Sequence, residues 1–465
     1  MGLSVVILAA GSGTRMQSKL PKVLHQLGGI PLLEHVINTV AQLGPDEIFV
    51  VFGHMGDVVK SALSHLQVQW VEQKQRLGTG HAVLQAIPEI NPKNQVLILY
   101  GDVPLISSNT LAHMLDATGK DQLGLLTADV DNPMGLGRIL RDKYDHVYGI
   151  IEEKDATEIQ KQITEINTGI YCVAAKLLKK WLPQLGNDNK QGEYYLTDIV
   201  AMARRDQVSI CVSQPQLLEE IYGANSRIEL AKLESIYQQW QAYKLMNKGV
   251  TVVDPFRIQI RGKVTPAQDC IIDVNVVLEG EVVLGEDCYI GPNVLLKNVR
   301  LGKAVQIRSH CVIEGAVIGD NVQIGPFARI RPETVIAAEA HIGNFVEIKK
   351  SKVGKGSKVN HLSYVGDSEI GAKVNVGAGV VTCNYDGVNK HKTVIADEVF
   401  VGSNCALVAP LTLKKGATIG AGSVITKDAP ADALTLARVR QVTIAAWQRP
   451  GKSPNTVKKT KKEKR

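Results

Sequence analysis

Residues 318–348 read IGDNVQIGPFARIRPETVIAAEAHIGNFVEI, with isoleucine at 318, 324, 330, 336, 342 and 348, every sixth position. Neither the 3.6-residue period of a helix nor the two-residue alternation of an ordinary strand generates a strict six. A hexapeptide β-helix does. Each short strand ends at a corner, the aliphatic residue points inward, and coil stacks on coil. The spacing recurs at Ile395, Val401, Leu407, Leu413, Ile419 and Ile425, and Val353, Val359 and Val365 keep it one register off. The repeat predicts a left-handed parallel β-helix over residues 251–448, with roughly ten coils at three hexapeptides per coil. Residues 377–393, GAGVVTCNYDGVNKHKT, interrupt it and read as a loop projecting from the prism, where function tends to collect.

Upstream the pattern is different. LSVVILAA at 3–10 and QVLILYGD at 95–102 read as buried strands, and PLLEHVINTVAQLG at 31–44 reads as a helix with Pro31 in its first turn and Gly44 past its end. Short apolar runs alternating with helical patterns over residues 1–225 predict an α/β domain with a mostly parallel, Rossmann-like sheet. Residues 226–250 form a linker arm: Ser226 and Glu229 make a capping box, Leu233, Ile236, Trp240 and Tyr243 form a stripe, and Gly249 closes the helix.

The net charge of +7 is local. Of the segment 449–465, the last 15 residues hold seven Lys/Arg and one Glu, so the rest of the chain is nearly neutral and the tail is expected to be disordered. Nucleic acid is therefore not an expected partner. Seven cysteines without a CxxC pair argue against a disulfide framework and a zinc cluster and fit a reducing cytoplasm. The run Leu3 to Ala10 lacks a preceding basic region and falls short of the roughly 20 residues a span needs, so no membrane anchor is expected.

LAAGSGTRMQSKLPKVL at 8–24 follows the first strand. Gly11 and Gly13 suit a loop whose N–H groups face phosphates, and Arg15 and Lys22 add positive charge. The dinucleotide fingerprint lacks its third glycine and the P-loop spacing is absent, so on glycines alone an ordinary βα turn remains open. The whole string, however, resembles the nucleotide-sugar pyrophosphorylase family, whose opening motif reads LAAGxGTRM followed by PK. LGTGHA at 77–82, YGDVPL at 100–105 and EINTGIY at 165–171 resemble its bifunctional members, which join a uridyltransferase to a glucosamine-1-phosphate acetyltransferase. The resemblance covers residues 3 to about 448.

That resemblance implies an N-terminal nucleotidyltransferase that couples N-acetylglucosamine 1-phosphate to UTP, releasing pyrophosphate and giving UDP-N-acetylglucosamine for envelope polymers. Asp102, at the carboxyl edge of a central strand, and Asn225 would hold Mg²⁺, although Asn225 could otherwise be only a helix-entry residue. Arg15 and Lys22 would neutralise phosphate charge. The nucleotide sugar would lie against Leu8, Ala9, Ala10, Gly11 and Lys22, with the uracil near Gln73, Gly78 and Thr79. Tyr100, Gly101 and Asp102 would follow, and Gly137, Glu152, Asn167 and Asn225 would complete the site. Two departures stand out: GANSR at 223–227 where the family usually has GVNNR, and Arg76 where glutamine is common.

For the prism, a spacer that only oligomerises is one reading, leaving a monofunctional uridylyltransferase; a protein-binding scaffold is another. A γ-class carbonic anhydrase needs three clustered histidines, whereas His310, His341, His361 and His391 lie on different registers. Acyl transfer from acetyl-CoA to an amine needs a base, and His361 has the matching company. The resemblance assigns His361 as base and Glu347 as its orienting carboxylate, with Arg331, Lys349, Tyr364, Asn375 and Lys390 around glucosamine 1-phosphate. Ala378, Asn384, Tyr385, Ser403, Ala421 and Arg438 would line the acetyl-CoA groove. In this family the prisms form homotrimers.

Overall fold

The computed structural model describes residues 2–450 apart from Ser12 and His54; the basic tail from residue 451 lies outside them. The chain divides into two compact units, one ending at Pro332 and the other beginning at Glu333.

The first unit opens with a mixed sheet. Its strands, among the described residues, are β1 (Leu3–Ala9), β2 (Glu47–Phe52), β3 (Gln69–Glu72), β4 (Gln95–Tyr100), β5 (Leu123–Asp129), β6 (Arg138–Arg141), β7 (Val147–Ile151), β8 (Glu165–Ala174) and β9 (Ile210–Ser213). They run in the order β9-β5-β8-β4-β1-β2-β3, with β6 on β8 and β7 on β6. All neighbours along the main path are parallel except β8, which is antiparallel to β4 and β5.

The unbroken apolar run of β1 follows from burial on both faces. Val5 and Ile7 pack with Leu33, Val36 and Ile37 of α1 (Leu32–Ala41), whereas Val6 and Leu8 pack with Ala82 and Val83 of a helix at Thr79–Ala86. The chain leaves β1 for β2 on one side and returns to β4 on the other. The carboxyl ends of β1 and β4 therefore border the crevice where open α/β sheets bind ligands.

The linker helix spans Arg227–Met246. Ser226 Oγ accepts from the Glu229 N–H and a Glu229 carboxylate oxygen accepts from the Ser226 N–H, closing the expected capping box. Leu233 is buried with Leu27, Leu32, Leu105 and Ala224, and Ile236 and Trp240 pack against that cluster. Tyr243, expected in the stripe, is exposed. Gln238 is buried in its stead because the strand Ile258–Pro266 offers a backbone edge: its amide donates to the Ile260 carbonyl at 3.0 Å and accepts from the Ile260 N–H at 2.7 Å.

Still in the first unit, Ile272, Ile290, Ile307 and Ile324 stack in parallel register. In the second, Ile342, Val359, Val376, Val401 and Ile419 form one such column, and Ile336, Val353, Ile370, Ile395 and Leu413 another. Every six-spaced aliphatic is at most 2% exposed. Ile342, Val359 and Val376 are 17 residues apart, which puts the valines at 353, 359 and 365 one register off. Corners turn at residues with positive φ, among them Phe345, Lys350, Leu362 and Asp367.

The expected loop is shorter than its sequence interruption. Gly377 still donates to the Val401 carbonyl and Val381–Cys383 is a strand, so coil geometry persists to Cys383. The excursion then folds on itself through an antiparallel bridge between Tyr385 and Lys390 and ends before the strand Thr393–Ile395. Small residues of GAGVV, read as loop, fit a close-stacked coil: a Cβ on Gly377 would meet Gly402 and Ser403 backbone at 2.7 Å.

Candidate active sites

A cleft of about 720 Å³ opens at the carboxyl ends of β1 and β4. All residues expected around a nucleotide sugar line it except Gly101, which is buried behind with its N–H donated to the Leu8 carbonyl at 2.9 Å. Arg15 does not line it either; it is exposed on the short turn Thr14–Met16. Arg76, Glu193 and Gly223 do line it.

The glycine-rich loop has two different glycines. Gly13 has φ 59°, and a Cβ there would lie 2.8 Å from Lys22 Cβ, so the loop can fold onto the lysine stem only without a side chain. Gly11 has no atom within 4 Å of its Cβ position, leaving its backbone open to a ligand. Lys22 follows on the turn Lys22–Leu24, and its ammonium donates to an Asp102 carboxylate oxygen and to Asn225 Oδ1, the latter at 3.0 Å. Asp102 lies two residues past β4. The Ala224 N–H donates to the Asp102 carbonyl at 3.1 Å, and the Asn225 N–H donates to Glu229 at 2.7 Å, so the helix cap fixes the asparagine beside the aspartate.

Gln73 is buried, its amide nitrogen donating to the Gly78 carbonyl and facing His81 Nδ1, at 3.1 and 3.0 Å. What it can present to a ligand is its carbonyl oxygen. Gly78 has φ 109°, and a Cβ there would strike the Tyr194 backbone. At the other end, burial raises the Glu152 carboxyl above the usual carboxylate range, against a hydrogen bond from Thr197 at 3.3 Å; Asp155, Asp198 and Glu193 push it the same way. Asn167 is oriented by the Gly169 N–H at 3.0 Å and by Tyr171 at 2.9 Å.

In the second unit His361 ends the strand Lys358–His361 with its ring exposed, between buried Val359 and Val365. Its Nδ1 is 2.9 Å from Asn344 Oδ1. An amide oxygen only accepts, so Nδ1 carries the proton and Nε2 is left with a free lone pair, the tautomer a general base needs. The His361 carbonyl accepts from Ser363 Oγ at 2.9 Å and from the Gly379 N–H at 3.2 Å, which pins the backbone beneath the ring. Asn344 was absent from the sequence expectations. Its signal is the 17-residue coil, which puts residue 344 directly in register with 361, while Glu347 pairs with Tyr364.

Around this strand end, Lys349 lowers the Lys390 ammonium below the usual lysine value by hydrogen bonding and like charge, while Asp367 and Tyr364 oppose the fall. Asn384 donates to Asp367 at 2.5 Å, and a Cβ on Gly366 would meet both Tyr364 and Asn384. Asn375 lies in the strand beside Lys358. Farther on, the Asn404 N–H donates to the Ala378 carbonyl, the Gly422 N–H to the Ser403 carbonyl, and the Arg438 guanidinium to the Ala421 carbonyl at 2.9 Å, placing these residues along one edge of successive coils. Tyr385 is exposed on the excursion. Arg331 belongs to the first unit.

Comparison with known proteins assigns the class first: a MobA-like NTP transferase domain matches residues 5–222, and a GMPPB C-terminal domain matches residues 260–338. The first half is thus a nucleotidyltransferase. Over nearly its whole length the chain is also similar to proteins described as "Bifunctional protein GlmU". That of Acinetobacter baumannii is 52% identical over 452 residues, covering 97% of this chain and 99% of the relative. Those of Marinobacter nauticus and Francisella philomiragia are 54% and 55% identical, again covering 97% of this chain and 99% and 100% of theirs. The chain belongs to the GlmU family of bifunctional enzymes, which join nucleotidyltransferase and acyltransferase activities.

Proposed function

We propose that the α/β cleft holds UTP and N-acetylglucosamine 1-phosphate with Mg²⁺, that the prism acetylates glucosamine 1-phosphate from acetyl-CoA, and that the prism's product feeds the cleft. The observation that carries this reading is identity of 52–55% running unbroken through both halves of the chain. It disfavours a prism that only oligomerises, because the His361–Asn344 contact and the Lys349–Lys390 pair then have no task. The proposed domains are 1–225 for uridylyl transfer, 226–250 as arm and 251–448 for acetyl transfer, with 449–465 as tail.

The donor set fits a hard divalent ion. Asp102 and Asn225 offer a carboxylate and an amide oxygen converging on one cation, Lys22 Nζ, and a hard ion shares such oxygens with substrate phosphates. When bound, the ion would supply charge neutralisation at the phosphates. The chain's own part is positioning: an oxygen of the sugar 1-phosphate, already anionic, attacks the α-phosphorus and the α–β bridging bond breaks, its electron pair leaving with pyrophosphate. No base is required. Gln73 offers its carbonyl oxygen to the uracil N–H, the Gly11 backbone faces phosphate, and Glu152 and Asn167 take the sugar hydroxyls.

In the second site the amine of glucosamine 1-phosphate attacks the thioester carbonyl, His361 Nε2 takes the amine proton, and the thiolate of coenzyme A leaves. Lys349 and Lys390, two ammoniums drawn together, suit a phosphate dianion. Homotrimerisation is supported by the apolar residues Leu436, Val439, Ile444 and Trp447, all exposed at the end of the prism. A cytoplasmic setting is supported by seven free cysteines, and no helix among the described residues is long and apolar enough to cross a membrane.

Two assays on one preparation test the reading: free thiol released from acetyl-CoA with glucosamine 1-phosphate, and pyrophosphate released from UTP with N-acetylglucosamine 1-phosphate. His361→Ala should abolish the first and spare the second; Asp102→Asn should do the reverse. No thiol above background from the unaltered protein removes the acetyl transfer.

A further inference from the structure

Uridylyl transfer leaves a product that must quit the cleft before the next turnover. Pyrophosphate is a multiply charged anion and needs cations. Within the cleft the Lys22 ammonium lies beside Asp102 and Asn225, and it alone does not lead the anion out.

A guanidinium is nevertheless present. Arg76 lines the cleft, and it also lines two further cavities, of about 170 and 640 Å³. The smaller shares Gly11 and Lys22 with the cleft and shares Phe52, Gly53 and Gly56 with the larger. The three cavities adjoin along the end of β2, and Gly53 and Gly56, in the wall common to the two side cavities, carry no side chain to divide them. A Cβ on Gly53 would lie 3.1 Å from the Ala10 carbonyl, and one on Gly56 would collide with the Phe52 ring.

At the far end, Lys60 and Lys74 face the larger cavity together with Arg76. Among the described residues none of the three makes an ion pair; Lys60 Nζ instead sits 4.1 Å from the centre of the Phe52 ring. Asp57 and Glu72 face the same space. Three cations against two carboxylates attract a polyanion but do not trap it, which suits a product on its way out better than a substrate awaiting chemistry.

We propose that this side cavity is the exit subsite for inorganic pyrophosphate: Arg76 takes hold of the leaving group at the cleft, and Lys74 and Lys60 receive it beyond. The proposal rests on the uridylyl-transfer reading of the cleft. It gives a task to the position where this chain carries arginine and the family commonly has glutamine.

The test uses the full-length protein and inorganic pyrophosphate as probe. Lys60→Gln and Lys74→Gln, both outside the cleft, should each raise the pyrophosphate inhibition constant and the KM for pyrophosphate in the reverse reaction about ten-fold, the loss expected for one charge-assisted contact. KM for UTP and for N-acetylglucosamine 1-phosphate should stay within about two-fold of the parent value. Arg76→Gln should weaken pyrophosphate more than either lysine variant. Unchanged pyrophosphate constants in all three, or UTP and pyrophosphate constants rising together in the lysine variants, overturn the exit subsite. Absence of UTP turnover in the parent overturns the reading beneath it, and unchanged thermal midpoints keep misfolding out of the comparison.

Discussion

Asn344 and His361 face each other across one coil of the prism, with the asparagine Oδ1 2.9 Å from the histidine Nδ1. The contact selects which ring nitrogen is basic, and it comes from an uncharged group. The imidazole is thus held in one orientation by a neutral partner rather than by a carboxylate.

Removing that contact should slow acetyl transfer without weakening substrate binding. Asn344→Ala should lower kcat for thiol release about ten-fold, a part of the 10²- to 10⁴-fold that general base catalysis supplies. KM for acetyl-CoA should be unaltered. Asn344→Asp should restore the rate and move the acidic limb of the kcat/KM pH profile upward, since a carboxylate beside the ring stabilises its protonated form. A flat response to both substitutions would remove Asn344 from the site.

The Lys349–Lys390 pair predicts a proton-linked affinity. In the free protein Lys349 holds the Lys390 value below the usual 10.5. A phosphate dianion between the ammoniums raises it again, so the complex binds more protons than its parts. Affinity for glucosamine 1-phosphate should be full below the lowered Lys390 value and should decline as pH rises through it. Calorimetry on the alkaline side, below the usual lysine value of 10.5, in two buffers of different ionisation heat should show net proton uptake. Lys349→Met should abolish the uptake, and no uptake in the parent protein would count against the pair as a phosphate clamp.

Glycines 11 and 13 should answer differently to alanine. At Gly13 the backbone is left-handed and a Cβ would press on the Lys22 stem, so Gly13→Ala costs about 1–2 kcal/mol in strain and drags the ammonium off Asp102 and Asn225. Uridylyl kcat/KM should fall about ten-fold, with thiol release from acetyl-CoA preserved. Gly11→Ala meets nothing in the free protein, so its thermal midpoint should not move; a rise in KM for UTP alone would place the nucleotide against that backbone.

Much of this architecture was legible in the chain because its periods are rigid. Six-residue spacing fixed the inward columns, and the apolar run of β1 announced burial on two faces. What escaped depended on a third dimension. Asn344 reaches His361 only through the coil repeat of 17 residues, which a reading in hexapeptides puts one residue out. Gln238 looks like a solvent residue until a strand edge meets it, and Tyr243 has the right spacing but no partner surface. Arg15 is exposed on its short turn and does not line the cleft of the free protein, which its charge alone does not foretell. Local sequence specifies which elements form, whereas register between elements decides which side chains share a site.

The corners at Phe345, Lys350, Leu362 and Asp367 put residues with side chains into left-handed backbone, at about 1–2 kcal/mol each. One inward aliphatic per face returns a comparable amount, about 1.5–3 kcal/mol, but only when a neighbouring coil covers it. No coil can therefore stand alone. The second unit behaves as a one-dimensional polymer whose stability is a sum of nearest-neighbour terms, with its weakest links at its ends. Shortening it coil by coil from its carboxyl end would erode it gradually, and His361, in the second coil of the unit, sits where that erosion arrives late.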